Sequence, residues 1–295
     1  MNVILVVGAT GTLGLQISLG LAAAGRQVRA MVRERSDAGK VAALHRAGAE
    51  IVVADLKEPE SLARACAGAG SVIVTASSTI SRTEGDSIET VDRLGNLALI
   101  DAAKAAGVGH FVFVSFPSHP IAFPLQDAKR VVEAALVRSG LGYTILQPPH
   151  FWEVWCSPAL GFDVAGGKVR IFGTGTGQHS WISLFDVTKA ALASLDRPAA
   201  RNRVFTFGGP EPLSQLEIVR RLSAATGRDI QLERIPAEAL RTQFDTARDP
   251  IERSFAALML ITGEGGWVFD PSEARAALGI EPQSINDFIA SSERK

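Results

Sequence analysis

Tyrosine is almost missing from this 295-residue chain, with Tyr143 its single example. It lies in the run Gly142-Tyr143-Thr144-Ile145-Leu146-Gln147-Pro148, where a strand in the core is expected. Any chemistry that needs a phenol as proton donor is therefore left without an obvious source. Cysteine is nearly as scarce. Cys66 and Cys156 are the only two, which sets aside a disulfide framework and leaves two thiols expected to be buried. No window approaches the roughly 20 apolar residues of a membrane span. Lys and Arg number 30 against 31 Asp and Glu, so net charge gives no argument for nucleic acid or an anionic membrane as partner. The five histidines, His45, His110, His119, His150 and His179, include no i, i+4 pair, and no metal site is expected. No G-x-S-x-G elbow or P-loop lysine occurs, which removes hydrolase and kinase readings. Met1-Asn2 leads straight into an apolar run without a basic n-region, so no signal peptide is expected and the cytoplasm is the expected location.

What is present begins at that run. Val3-Ile4-Leu5-Val6-Val7 is unalternating and mostly β-branched, as a strand buried on both faces of a parallel sheet should be. Gly8-Ala9-Thr10-Gly11-Thr12-Leu13-Gly14 follows, and apolar residues at helical spacing continue to about Ala24. In such a turn Gly8 permits the sharp bend, Gly11 lets the backbone approach a pyrophosphate, and Gly14 lets the helix sit close on the strand. The helix N-terminus then offers free N–H groups to phosphate. The alternative is a purely structural turn, but strand, glycines and helix stand in the register that phosphate binding requires.

Strand and helix patterns alternate through the first half. Strands are expected over 27–32, 50–55, 71–76, 110–115 and 142–148, with helices between them and a polar loop over 77–87. This predicts a doubly wound core over residues 1–150, with 181–208 returning to it. Residues 151–295 are expected to form a smaller α+β lobe on the substrate side. Within it, Gly173-Thr174-Gly175-Thr176-Gly177 reads as a hairpin or substrate-side loop, Ser214 to Glu217 as a capping box, and 237–265 as a lid or partner surface.

Several pieces together resemble the NmrA-like branch of the atypical short-chain dehydrogenases/reductases. They are the Gly8–Gly14 turn, Val32-Arg33, Ala54-Asp55-Leu56, Ile100-Asp101-Ala102-Ala103-Lys104-Ala105-Ala106-Gly107-Val108, Val112-Phe113-Val114-Ser115, Lys129 with Val132-Glu133, and Ser139 through Pro148. Ile182-Ser183 and Asp186-Val187 extend the likeness into the second half. The resemblance implies a Rossmann α/β fold that binds NAD(P). Arg33 closes the second strand 19 residues after Gly14, where an acid would bind the ribose diol of NAD. A guanidinium there suits a 2′-phosphate, so NADP(H) is the expected cofactor, although a solvated strand-end charge would read the same. The expected cofactor contacts are Gly8, Thr10, Gly11, Thr12, Leu13, Gly14, Arg33, Asp55, Leu56, Thr75, Ala76, Ser77 and Lys129. Of these, Asp55 stands where the family has an adenine-contacting acid, or it only caps the next helix.

Lys129 matches the superfamily's catalytic lysine, but Leu125 stands four residues before it in place of tyrosine. Two readings follow. In one, the protein is an NADPH-dependent reductase in which Lys129 orients or polarises. His119 or His150 then serves as acid near neutral pH, and Ser115 or Ser118 bonds a carbonyl oxygen. In the other, it binds NADP(H) without turnover, as regulators and assembly factors of the family do. Phe116, Phe123, Phe151, Trp152, Trp155 and Trp181 suggest a pocket for a flat apolar carbonyl or quinone-like substrate, or else pack the lobe interface. A monomer or homodimer is expected.

Overall fold

The computed structural model describes residues 2–79, 81 and 83–292. In chain order the first strands and helices are β1 (Val3–Val7), α1 (Thr12–Ala23), β2 (Val28–Val32), α2 (Ala38–Arg46), β3 (Glu50–Val53), α3 (Pro59–Cys66) and β4 (Ala69–Val74). A π-helical segment, Ile88–Gly95, runs directly into α4 (Asn96–Ala105). Then come β5 (His110–Val114), α5 (Pro124–Arg138), β6 (Tyr143–Gln147), β7 (His150–Phe151), α6 (Trp152–Trp155), β8 (Phe162–Asp163), β9 (Lys168–Phe172) and β10 (His179–Ile182). The chain continues through α7 (Leu184–Asp196), β11 (Arg203–Thr206), β12 (Pro212–Leu213), α8 (Gln215–Thr226), β13 (Gln231–Ile235), α9 (Ala237–Thr246), α10 (Pro250–Glu264), α11 (Ser272–Leu278) and α12 (Ile285–Ser292).

A parallel seven-stranded sheet in the order β11-β6-β5-β4-β1-β2-β3 forms the centre. Its apolar strands are covered twice. Ile4 and Val6 of β1 face a core built with α1, α2, α7 and α11, while Leu5 and Val7 face one built with α3, α4 and α5. That double burial is why the strand reads as a continuous apolar run. Within 181–208, α7 packs on α1 and β11 extends the central sheet beyond β6, while Trp181 and Ile182 belong to β10 of another sheet. Cys66 is buried and its thiol is pushed up to about 11 by that burial; Cys156 is partly buried and also raised. No described helix is long and apolar enough to cross a membrane.

The second half builds two small sheets, β12-β10-β7 and β13-β9-β8. Because β9 and β10 belong to different sheets, the loop between them is not a hairpin. Its glycines serve packing: a Cβ on Gly173 would lie 2.6 Å from the Gly263 carbonyl oxygen, and one on Gly177 2.6 Å from the Gly265 Cα. Ser214 and Glu217 do form the capping box of α8. Helix α10 of the 237–265 segment is docked: Ala256, Ala257, Leu260 and Ile261 share a core with Phe123, Leu125 and Ala128, and Leu125 N donates to Ser254 Oγ at 3.1 Å.

Two buried histidines fasten the small sheet to α10. The Thr262 hydroxyl donates to the Leu258 carbonyl at 2.8 Å, so it accepts from His150 Nε2 at 3.0 Å. His179 Nε2 donates to the Thr262 carbonyl at 2.9 Å. Both rings are thus neutral Nε2–H tautomers, and both Nδ1 atoms are buried without a partner. The rings lie 4.7 Å apart, with Trp155, Trp181 and Trp267 around His150. Burial is the main cause that holds both imidazoles below their usual value, and the neighbouring His179 adds to it at His150. His110, at the opposite edge of the sheet, is lowered to about 4 by burial and by Arg201.

Two predictions follow from this packing. A Cβ on Gly14 would stand 2.1 Å from the Gly8 carbonyl oxygen, whereas one on Gly25 meets open space. Gly14→Ala is expected to cost about 3 kcal/mol or more in urea unfolding, and Gly25→Ala only about 1–2 kcal/mol for its positive φ. Secondly, the unfolded chain takes up protons on these histidines below their ordinary value of 6.5 while the folded chain resists. Stability present above that pH is therefore lost as pH falls, and Tm should drop between about pH 7 and pH 5. His150→Gln, which keeps an N–H for Thr262, should show a smaller drop.

Candidate active site

The strand order reverses at β1, with β2 on one side and β4 on the other, so a crevice opens at the carboxyl ends of these strands. Gly8 has φ +86°, and a Cβ there would lie 2.8 Å from Ala76 N and from Thr75 Oγ1. Gly11 N donates to the Gly8 carbonyl at 2.9 Å and forms the N-cap of α1. No side chain caps this helix, and its first turn holds no acid. Gly11 and Thr12 are exposed while Leu13 is partly and Gly14 fully buried. The amides at the start of α1 therefore face the crevice uncapped, which is the donor set an anion requires. Lys40 of α2 reaches back to this loop, with its Nζ donating to the Thr10 carbonyl at 3.0 Å.

Arg33 stands just past β2, half-exposed, and does not stand alone. Its Nη1 lies 2.5 Å from Asp86 Oδ2, and Lys57 and Ser81 also hydrogen-bond that carboxylate. Asp86 is 3% exposed. Burial pushes its carboxyl up, but the bonds from Lys57, Ser81 and Arg33 together hold it below the usual range. The sequence shows no acid at the end of β2, where Arg33 stands; the loop after β4 brings one. Ile80 and Arg82 of the 77–87 loop lie outside the described residues. Asp55 accepts from Lys57 N at 2.9 Å and lies 3.7 Å from Lys57 Nζ, while α3 takes Glu58 as its N-cap, so Asp55 is not that helix's cap. Leu56 is buried beside it.

On the other side of β1, Thr75 Oγ1 bonds the Val7 carbonyl at 3.3 Å, Ala76 is partly buried, and Ser77 bonds Thr79. The next residue is the informative one. Ser78 N and Oγ donate to Asp92 Oδ2 at 2.9 and 2.6 Å, and Asp92 Oδ1 lies 3.6 Å from Lys129 Nζ. Asp92 has no exposed side-chain surface and Lys129 only 6%. The ammonium also lies 4.8 Å over the Phe113 ring. Burial lowers the Lys129 ammonium from its usual range, and the Asp92 carboxylate works against that. Asp92 sits in the π-helical segment, a local widening often found at functional positions. Sequence reasoning missed it, since the helix before α4 reads as regular.

The remaining candidates separate. Ser115 Oγ accepts from Arg130 at 2.9 Å, and Arg130 in turn bonds Glu133 at 2.8 Å. His119 is partly buried, its Nδ1 accepting from Ile121 N at 3.2 Å, and burial lowers its pKa while Glu264 opposes. Ser118 is exposed, and its carbonyl accepts from Trp267 Nε1 at 3.3 Å. Trp267 packs edge-on to Phe116 and His119 at 6.4 and 6.3 Å, joining a site its sequence context did not reveal. Phe116 and Phe123 stack at 5.9 Å. Trp152 stacks on Trp181 at 5.1 Å, both rings buried in the second lobe, whereas Trp155 and Phe151 are partly buried. His150 lies in the joint described above. Tyr143 starts β6, at the opposite edge of the sheet from the crevice. No group of three or more potential metal-binding side chains occurs among the described residues.

Comparison with known proteins identifies the family and the fold. The NmrA-like family profile matches residues 1–289. An NAD(P)H azoreductase of Xenophilus azovorans is 32% identical over 237 residues, 80% of this chain and 78% of that protein. The photosystem II assembly factor Ycf39 of Trieres chinensis is also 32% identical, over 81% of this chain and 73% of its own length. The Citrobacter sp. triphenylmethane reductase, solved with NADP(H), shares the fold at TM-score 0.79 and 19% identity, covering 98% of this chain and 99% of its own. With its glycine turn, its doubly wound sheet and a match over nearly its full length, the chain belongs to the NmrA-like family.

Proposed function

We propose that the protein binds NADP(H) and reduces a small, flat, apolar acceptor of the aromatic or quinone-like carbonyl class. The observation that carries the reading is Lys129: a cation withdrawn from water at the crevice, with Asp92 as its ion-pair partner. A merely structural protein gains little from such a pair, because desolvating two charges is costly. Perturbed, buried ionisable groups in a cleft mark functional sites. The cradle fits the dinucleotide, since Gly8 and Gly14 let the turn and α1 close tightly on the sheet and the α1 amides stand uncapped. Arg33 is the proposed partner of the 2′-phosphate, with Asp55 and Leu56 on the adenine side and Thr75, Ala76 and Ser77 beside the second ribose. When bound, the cofactor supplies a hydride. Lys129 holds the ribose and places positive charge where carbonyl oxygen gains electron density. Ser115 is a hydrogen-bond donor to that oxygen.

The proton has a narrower set of sources. His150 spends its Nε2–H on Thr262 and is sealed by tryptophans, so His119 is the better placed histidine. Water or a hydroxyl of the substrate is the alternative. The second reading, NADP(H) binding without turnover, draws on the absent tyrosine and on the likeness to an assembly factor.

Calorimetric titration should give NADPH at least about tenfold tighter than NADH, with the difference lost in Arg33→Ala. NADPH oxidation should be seen with a panel of quinones and azo dyes, and Lys129→Ala, compared where circular dichroism shows it folded, should lower turnover about 100-fold. Tight binding with no oxidation across the panel would favour the regulatory reading instead.

A further inference from the structure

The anion site at the end of β2 is already filled, and its occupant is part of the chain. Asp86 takes hydrogen bonds from a guanidinium, an ammonium and a hydroxyl, those of Arg33, Lys57 and Ser81. This is the donor set that a phosphate dianion recruits. The carboxylate itself is 3% exposed, while the Arg33 and Lys57 side chains keep 42% and 26% of their surface open to solvent. The donors thus keep surface that a ligand can reach.

We propose that Asp86 is a resident competitor for the 2′-phosphate of NADP(H) and that it sets how strongly this protein discriminates NADP(H) from NAD(H). The proposal rests on the NADP(H) reading above. Its charge arithmetic is simple. Arg33 and Lys57 bring two positive charges, and Asp86 with Asp55, 3.7 Å from Lys57, returns two negative ones. A neutral cluster attracts an incoming dianion less than the two cations alone would. The phosphate must draw Arg33 or Lys57 away from Asp86, or sit close to a like charge, and either lowers its affinity. A cofactor without that phosphate meets no such penalty. Its free 2′-hydroxyl instead finds an acceptor in Asp86, the role that an acid at the end of β2 fills in NAD-binding folds. The acid absent from position 33 is supplied from position 86.

The test is a titration of wild type and Asp86→Asn with NADPH, NADH, 2′,5′-ADP and 5′-AMP. Asparagine keeps the shape and one acceptor oxygen, for Lys57 or for Ser81 and Arg33 but not for both sides, while removing the charge. The two ligands that carry a 2′-phosphate should bind about tenfold tighter to the variant, the scale of one partly screened charge pair. NADH and 5′-AMP should be unchanged or weaker. In the Arg33→Ala background the gain from Asp86→Asn should shrink, since only Lys57 is then freed. Asp86→Ser provides a second variant if the asparagine does not fold. Unchanged or weaker NADPH binding in the variants would overturn the proposal and make Asp86 a positioner of Arg33. Equal tightening of all four ligands would overturn it too, by showing a general loosening of the loop. Wild type that binds none of the four would defeat the NADP(H) reading itself.

Discussion

The crevice depends on the fit of α1 against the turn it leaves. Gly14 comes so near the Gly8 carbonyl that no side chain fits between them. Everything at the crevice inherits its position from that contact. It sets the tilt of α1 on the sheet, and so where the first-turn amides aim. Gly8 in turn brings the loop end against Thr75 and Ala76 of the neighbouring strand. One requirement for missing methyl groups therefore fixes strand, helix and the next strand's exit together. The seven-stranded sheet is the rigid body that makes such a tolerance possible.

Against that apolar frame, the crevice is lined by charge placed at a cost. Asp92 and Lys129 are both withdrawn from solvent, and neither is balanced without the other. Asp92 also holds Ser78, so a single carboxylate joins α5, the π-helical segment and the loop after β4. Asp186 shows the same economy elsewhere. It takes the Ser183 hydroxyl at the start of α7 and the Gln283 amide from the C-terminal region, and pairs with Lys189. The sequence places Asp186 within the family likeness but does not show its reach.

The fold was legible because its signals are local. An apolar run, three glycines and alternating helix and strand patterns suffice for the parallel core, and the Ser214–Glu217 capping box declares its helix within four residues. The glycine loop 173–177 misled as a possible hairpin because its partners, Gly263 and Gly265, are some ninety positions away and leave no local mark. The site divides along the same line. Lys129 was legible from the spacing it shares with a family, but Asp92, Asp86, Lys57 and Trp267 were not. Each owes its place to the folding of a loop or to a helix that widens by one residue per turn. Arg33 was read as unopposed for the same reason, since Asp86 lies 53 positions away in sequence.

Ser78 and Asp86 lie on one loop and are moored to different shores. Ser78 is tied to the carboxylate that balances Lys129, and Asp86 to the cations beyond β2. The two extremities of the crevice thus share a single tether. Occupancy at one is free to change the hold at the other, and thermodynamic reciprocity requires that influence to run equally in both directions. A short stretch of backbone thus has one anchor beside the Lys129 pair and another among the cations past β2.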